Sequence, residues 1–283
     1  MKEGRELSMT RTAGSHYDFV TDAWKEFMGD HLHFGYFETE DMELSRATEI
    51  MIEKMLELCD VSGDSRILDV GCGIGGPAFY IHEKFNCAID GISTSERGVE
   101  LANITSKEKG YHDVKFKVAN GLRNGFPDNT FDIVWIMETS HLIPNRVALF
   151  RECSRVLKEN GTIVLCDLVV LMRPIYRVLL HAARNARKYV RNLRAWGPAQ
   201  LGYPGNYCDS LVTAGFREVT FINITEKTLP TMKWWKNNAL RYRDSEINAF
   251  LKEDVQEFIY GCETLEELFN DGVLGYGIVP AIK

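Results

Sequence analysis

The chain has 283 residues, of which 45% are apolar and 26% are charged, and this mixture excludes a disordered chain or a fibre. The length suits one large α/β core with an inserted cap better than several independent domains. The formal charge of −7 disfavours nucleic acid as a partner unless basic residues are concentrated in one region.

The first 60 residues predict a tail followed by two helices. Residues 1–15 have the character of a flexible tail. Apolar side chains three and four positions apart then predict helices over residues 16–28 and 42–58. We therefore expect residues 16–60 to form a helical cover that precedes the first strand.

Residues 61–170 alternate short β-branched runs with amphipathic stretches, which is typical of a parallel sheet flanked by helices. This pattern predicts a doubly wound α/β core. The predicted strands are 66–70, 87–92, 114–119, 131–136 and 161–170, and the predicted helices are 76–85, 95–109 and 145–158.

Residues 171–205 are predicted to be an insertion that carries a basic lid helix over the strand ends. Residues 206–283 are expected to complete the core and to add further helical cap segments. Their predicted elements are a helix at 206–214, a strand at 218–225, helical segments over 232–269 and a last strand at 273–282.

The lid contains seven cations between residues 171 and 195 and no acid, which leaves the rest of the chain at −14. Three interpretations are open: a solvated helix face, an anion site for a phosphorylated acceptor, and contact of the amphipathic helix with a membrane. The cations are Arg173, Arg177, Arg184, Arg187, Lys188, Arg191 and Arg194.

Seven cysteines without a C-x-x-C pair predict reduced thiols, and the opening residues lack the apolar stretch of a secretory signal. We therefore expect a cytoplasmic protein. His31 and His33 have no partner at metal-ligand spacing, so no metal site is predicted. The sequence leaves the oligomeric state open.

The most informative segment is the sequence ILDVGCGIGG at residues 67–76, where a strand runs into a glycine turn and then a helix. Its glycines also fit the dinucleotide pattern G-x-G-x-x-G, so spacing alone does not decide between cofactors. Asp69 at the strand end favours a cationic ligand over a pyrophosphate. The amino group and sulfonium of S-adenosylmethionine are such cations.

This segment resembles the first motif of class I S-adenosylmethionine-dependent methyltransferases, and three further segments resemble later motifs of the same family. They are FDIVW at 131–135, RECSRVLKENG at 151–161 and LVTAGF at 211–216. The similarity extends from about Gly14 to Ala281. It implies a seven-stranded, mostly parallel, Rossmann-like sheet. It is strongest toward the small-molecule branch of sugar and polyketide O-methyltransferases, tocopherol methyltransferases and, more distantly, cyclopropane synthases.

The resemblance implies a set of cofactor-binding residues, with two departures from the family pattern. Ser93 stands where many relatives have the acid that binds both ribose hydroxyls, although Asp90 is a less favoured alternative. Asn120 replaces an aspartate that accepts from the adenine amino group. The predicted set is Tyr17, Tyr36, Asp69, Gly71, Gly73, Ser93, Thr94, Asn120, Gly121 and Glu138.

His141 and Asp167 are the predicted catalytic residues. They follow or end neighbouring strands, whose carboxyl ends share one crevice in an open α/β sheet. His141 is interpreted as the general base, and Asp167 as the group that orients the imidazole. The alternatives are a histidine that caps the next helix and a carboxylate bonded to backbone amides.

The sequence therefore predicts methyl transfer from S-adenosylmethionine to a hydroxyl of a small secondary metabolite. The alternatives are a C-methyltransferase of an isoprenoid, which could carry a diphosphate, and a cyclase that binds the cofactor without methyl transfer. A nicotinamide oxidoreductase is the third and weakest alternative.

Overall fold

The computed structural model describes residues 12–244 and 252–283, and within them the chain forms eleven α-helices and seven strands. The strands are β1 (Arg66–Val70), β2 (Ala88–Ser93), β3 (Val114–Val118), β4 (Phe131–Met137), β5 (Leu157–Val170), β6 (Ile222–Asn223) and β7 (Leu274–Ile282). The helices are α1 (Ala13–Met28), α2 (Leu44–Leu56), α3 (Gly76–Phe85), α4 (Glu96–Lys109), α5 (Arg146–Val156), α6 (Ile175–Arg184), α7 (Ala186–Trp196), α8 (Pro204–Thr213), α9 (Thr225–Thr228), α10 (Pro230–Arg243) and α11 (Lys252–Asn270).

The strands form one sheet in the order β3-β2-β1-β4-β5-β7-β6. The first five are parallel, and β7 runs antiparallel to both of its neighbours. This arrangement confirms the predicted seven-stranded, mostly parallel sheet. Because β1, β4 and β5 are parallel neighbours, their carboxyl ends lie at one edge.

Alternating side chains of the central strands pack into two apolar cores, one on each face of the sheet. In β1, Ile67 packs into the first core and Leu68 into the second. The first core is shared with α1, α2, α3, α10 and α11, and the second with α5 and α8. Helices therefore cover both faces, and most residues of the parallel strands β1 and β4 are buried.

Helix α1 is held against the carboxyl edge of the sheet by contacts with the start of α4. The Ser95 hydroxyl accepts from Gly98 N at 3.0 Å, which caps α4, and donates to Asp18 Oδ1 at 2.7 Å. Asp22 accepts from the Arg97 guanidinium at 2.9 Å. These contacts place α1 as part of a cover over the loop between β2 and α4.

The structure differs from the sequence prediction at the start of α1 and in the lid. Helix α1 begins at Ala13, inside the predicted tail, while residues 1–11 lie outside the described residues. The single lid helix is divided into α6 and α7 at Asn185, whose Nδ2 donates to the His181 carbonyl at 3.0 Å. An asparagine side chain that competes for a backbone carbonyl favours a helix end over continuation.

The strand predicted at 218–225 is present only as the two residues of β6. Preceding it, Arg217 forms an isolated bridge with Ile282 instead of extending the ladder. In the described residues no helix combines the length and apolar character needed to cross a bilayer, and all seven cysteines are free.

Candidate active site

The glycine turn follows β1 directly and adopts backbone conformations that L side chains rarely populate. Gly71, Gly73 and Gly75 have φ values of +88°, +52° and +85°. A Cβ on Gly71 would lie 1.9 Å from Thr139 Oγ1, so the turn packs against the segment that follows β4. A Cβ on Gly73 would meet no atom within 4 Å, so this glycine borders open space.

Asp69 lies one residue before the end of β1 and is 4% exposed. Its Oδ2 is buried and has no hydrogen-bond partner within the described chain. Burial raises the pKa of this carboxyl to about 7. A cation bound beside the glycine turn would stabilise its ionised form.

The predicted ribose and adenine contacts lie at the ends of β2 and β3. Ser93 Oγ accepts from Ser95 N at 3.1 Å, and Thr94 is exposed beneath the first turn of α1. Asn120 Oδ1 accepts from Leu122 N at 2.9 Å and keeps a second lone pair. Gly121 is buried between β1 and α5, where an added Cβ would crowd their side chains.

Asp90 lies within β2 and accepts from the Arg66 guanidinium at 2.8 Å. This ion pair agrees with its interpretation as a strand residue. The contact of Ser93 with the ribose stays a prediction.

The structure brings His141 and Asp167 together. His141 lies in a short 3-10 turn, Ser140–Leu142, after β4, and Asp167 follows the β5 residue that pairs with the last residue of β4. The Nδ1 atom of His141 forms a short hydrogen bond with Asp167 Oδ1, and the two residues are 7% and 1% exposed. In the described chain no side chain binds the other ring nitrogen, Nε2.

Asp167 is fully satisfied by donors from two segments. Its Oδ2 accepts from the Ser140 hydroxyl at 2.6 Å and from His141 N at 2.9 Å. Its Oδ1 also accepts from Leu168 N at 3.0 Å. When Asp167 Oδ1 accepts the hydrogen bond from the imidazole, the proton lies on His141 Nδ1.

The charge of Asp167 sets the protonation of His141. Burial alone lowers the pKa of the imidazole, but the Asp167 charge and its hydrogen bond outweigh burial, so the pKa is raised. In its neutral form the imidazole carries the Nδ1 proton and leaves a lone pair on Nε2. This is the form that a general base requires.

Glu138 lies beside this pair, with a positive φ of 48°. Its Oε1 accepts from Phe34 N at 2.7 Å and from the Tyr276 hydroxyl at 2.6 Å. Burial raises the pKa of Glu138 to about 7, against the opposing effect of these hydrogen bonds. Burial and the charges of Glu138 and Asp167 raise the pKa of Tyr17 in α1.

The hydrogen bond and the cation contact of Tyr36 are with α2 and not with the residues around His141. Its backbone N–H donates to the Ala47 carbonyl at 2.8 Å, and Lys54 Nζ is 5.8 Å from its ring centroid. Both partners belong to α2. The role of Tyr36 at the cofactor therefore stays a prediction.

Sequence reasoning missed Tyr276. Its hydroxyl donates to Glu138 Oε1 at 2.6 Å and lies 3.1 Å from Cys166 Sγ. It pairs with Leu168 across the antiparallel ladder between β5 and β7. The available signal was a tyrosine between Gly275 and Gly277 in an otherwise apolar strand. It could not be used without knowing that the last strand lies beside β5.

A sheet of this order with one reversed strand, a glycine turn after β1 and polar residues at the ends of β4 and β5 defines the class I methyltransferase fold. Residues 68–165 match the family model described as a methyltransferase domain. The chain is 33% identical over 271 residues to 27-O-demethylrifamycin SV methyltransferase of Amycolatopsis mediterranei (strain S699), covering 95% of this chain and 96% of the relative. It is 31% identical to methyltransferase GfsG of Streptomyces halstedii, covering 79% of each.

A solved cyclopropane synthase from Mycobacterium tuberculosis superposes with a TM-score of 0.85 at 17% identity, covering 96% of this chain and 97% of that one. This likeness shows the shared fold. The chain belongs to the S-adenosylmethionine-dependent methyltransferases, and it is an enzyme that uses S-adenosylmethionine. The predicted family, fold and cofactor are confirmed.

The residues present fit this cofactor. The unpartnered Asp69 Oδ2 provides an acceptor for a positively charged group, and Gly73 leaves space against the turn. Ser93 and Asn120 lie at the next two strand ends with oxygen acceptors. In the described residues no cluster of three or more metal-ligating side chains is found.

Replacing Gly73 by alanine should weaken cofactor binding more than folding. The Cβ would enter the open space beside the turn, and we expect the Kd for S-adenosylhomocysteine to rise about tenfold or more, equivalent to about 1.4 kcal/mol. Gly110→Ala is a matched control, because Gly110 has a φ of +72° and also borders open space, but caps α4. Calorimetric titration and urea unfolding of both variants test this. Equal Kd values would contradict the assignment of Gly73.

Proposed function

We propose that the protein methylates a hydroxyl group of a small secondary metabolite, with His141 as the general base. The observation that carries the proposal is the buried pair of His141 and Asp167 beside the glycine turn. Thr139, two residues before His141, is the residue that packs on Gly71. The base is thus close in the fold to the turn that would hold the cofactor.

His141 Nε2 would take the proton of the acceptor hydroxyl as its oxygen attacks the methyl group. S-adenosylmethionine supplies that methyl on a positively charged sulfur, and transfer leaves neutral S-adenosylhomocysteine. Asp167 holds Nδ1 protonated during the step and stabilises the imidazolium that forms. In-line displacement needs alignment above all, and the fixed imidazole supplies it for the acceptor.

Tyr17, Asp69 and Glu138 are proposed to position the donor. The charges of Glu138 and Asp167 act on the Tyr17 phenol, and its ring would exclude water from the reacting methyl. Its π-face is also attractive to a sulfonium. Asp69 and Glu138 would bind the cationic amino end of the donor.

The Amycolatopsis relative favours oxygen as the acceptor atom. The name of the Amycolatopsis relative specifies an O-demethyl substrate, and that relative is matched along 96% of its length. We therefore propose 27-O-demethylrifamycin SV and other hydroxylated polyketides as the first acceptors to assay.

Labelled cofactor and mass spectrometry of the products test this function. The proposal predicts one added methyl per turnover, located on oxygen, with an equal amount of S-adenosylhomocysteine formed. A methyl on carbon would indicate the C-methyltransferase alternative. An altered acceptor with intact cofactor would indicate a cyclase, and either result would overturn the proposal.

A further inference from the structure

Helix α6 contains no buried residue. Four of its large apolar side chains are 47% to 64% exposed, namely Ile175, Tyr176, Leu179 and Leu180, which we call the apolar strip. A ten-residue helix is marginal in water when it relies on its own hydrogen bonds. Large apolar side chains that are neighbours on an exposed helix face also cost free energy in water, so such a face indicates an interaction surface.

The apolar strip faces away from the protein. Its residues are spaced so that Ile175 and Leu179, and Tyr176 and Leu180, are one turn apart. The other side of α6 is the one that contacts the fold, where Val178 packs against the first core and His181 Nε2 lies 3.0 Å from Asp271 Oδ2.

Positive charge borders the strip. No acid occurs between Asp167 and Asp209, while the seven lid cations lie in this interval. Arg177 and Arg184 are two turns apart on the side of α6 next to Leu180. Within the described residues neither arginine, nor Arg187 or Arg194, forms an ion pair with an acid.

The remaining lid cations contact the fold. The guanidinium groups of Arg173 and Arg191 lie 4.5 Å above the rings of Tyr203 and Tyr260, and Lys188 forms an ion pair with Glu267. These contacts fix α7 on the protein. The arginines around the apolar strip are therefore displayed on a supported segment.

We propose that α6 and the first turn of α7 dock on an anionic phospholipid surface. The apolar strip inserts at the level of the headgroups, and the surrounding arginines bind lipid phosphates. The rest of the chain carries a formal charge of −14 and is repelled by such a surface, so the basic face is the one that would approach it.

The observations favour a membrane over two other occupants. A second copy related by a two-fold axis would place like charges against each other. An acidic protein would satisfy the charges, but charge alone gives the four exposed apolar side chains of the strip no apolar partner. An exposed apolar strip with adjacent arginines suits insertion into lipid.

Docking would bring the carboxyl edge of the sheet to the bilayer. Strand β5 ends at Val170, three residues after Asp167, and residues 171–174 lead directly into α6. An apolar acceptor dissolved in the lipid would then reach the site without crossing water. The docking itself does not depend on His141 or on the acceptor atom.

Flotation of the full-length protein with lipid vesicles tests the proposal. We expect binding to vesicles of phosphatidylcholine with about 30% phosphatidylserine, little binding to phosphatidylcholine alone, and loss of binding at high salt. The double variant Leu179→Glu/Leu180→Glu should lower the partition coefficient more than about tenfold, as should Arg177→Glu/Arg184→Glu.

Two variants on other surfaces serve as controls. Val212→Glu adds a charge at a valine that is 58% exposed on α8, and Lys233→Glu reverses an exposed charge on α10. Both should bind vesicles like the wild type, and circular dichroism should show all variants folded. Failure of the wild type to float at low salt would overturn the proposal. So would unchanged flotation of the Leu179/Leu180 variant, or a dimer in light scattering that this variant abolishes.

Discussion

Alanine in place of His141 is expected to lower kcat for methyl transfer about 10²- to 10⁴-fold, the usual contribution of a positioned general base. The Kd for S-adenosylhomocysteine should change little, because the proposed contact of the imidazole is with the acceptor and not with the cofactor. The loss should shrink as the pH rises, since solvent hydroxide then deprotonates the acceptor. Steady-state kinetics between neutral and alkaline pH, with calorimetric titration of the cofactor product, measures both quantities.

His112→Ala is the matched control, because His112 is an exposed histidine in the loop between α4 and β3. It should keep wild-type kcat at every pH. A His141→Ala enzyme with full activity at neutral pH would show that the acceptor loses its proton elsewhere. His141 would then have only a structural role.

Asp167→Asn should also lower kcat by about 10²- to 10⁴-fold, because it changes the tautomer of His141. The amide is uncharged, and when its Nδ2 donates to His141 Nδ1 the ring must carry its proton on Nε2. The lone pair that would accept the acceptor proton is then lost. Kinetics at saturating cofactor should show the effect in kcat, with little change in the KM for the acceptor.

The same variant should also be less stable. One amide oxygen cannot accept from every group that Asp167 now binds, so at least one of the N–H groups of His141 and Leu168 loses its partner. Leaving one buried donor unpaired costs about 1–3 kcal/mol, which urea unfolding can resolve. Asp113→Asn, at an exposed acid after α4, should change neither kcat nor stability. If Asp167→Asn keeps wild-type kcat, Asp167 has no orienting role.

Local sequence signals predicted the central part of the fold well. Strand β1 and helix α3 have the predicted bounds, because a strand, a glycine turn and Pro77 at a helix start leave few alternatives. The predicted helix over 95–109 begins at Glu96 after its Ser95 cap. The division of the lid at Asn185 was missed because amphipathic spacing continues across the break.

The candidate site was predictable where neighbouring strands carry it. His141 follows β4 and Asp167 lies near the end of β5, and these two strands pair as expected of a parallel sheet, so their contact could be anticipated. Contacts from distant segments could not be. Glu138 is bound by Phe34 N and by the Tyr276 hydroxyl, which are 104 and 138 positions away, and only tertiary packing brings them together.

The pH dependence of single-turnover methyl transfer tests the role of His141 most directly. His141 must be neutral to act as a base, and Asp167 raises its pKa above the ordinary value of about 6.5. The rate should therefore rise with pH through a midpoint above that value. Because the pKa of Glu138 is raised to about 7, the measurement is repeated with Glu138→Gln. The predicted result is a midpoint that persists in this variant and is lost in His141→Ala, whose slower rate rises only with hydroxide at alkaline pH. A midpoint that disappears with Glu138 would contradict the account.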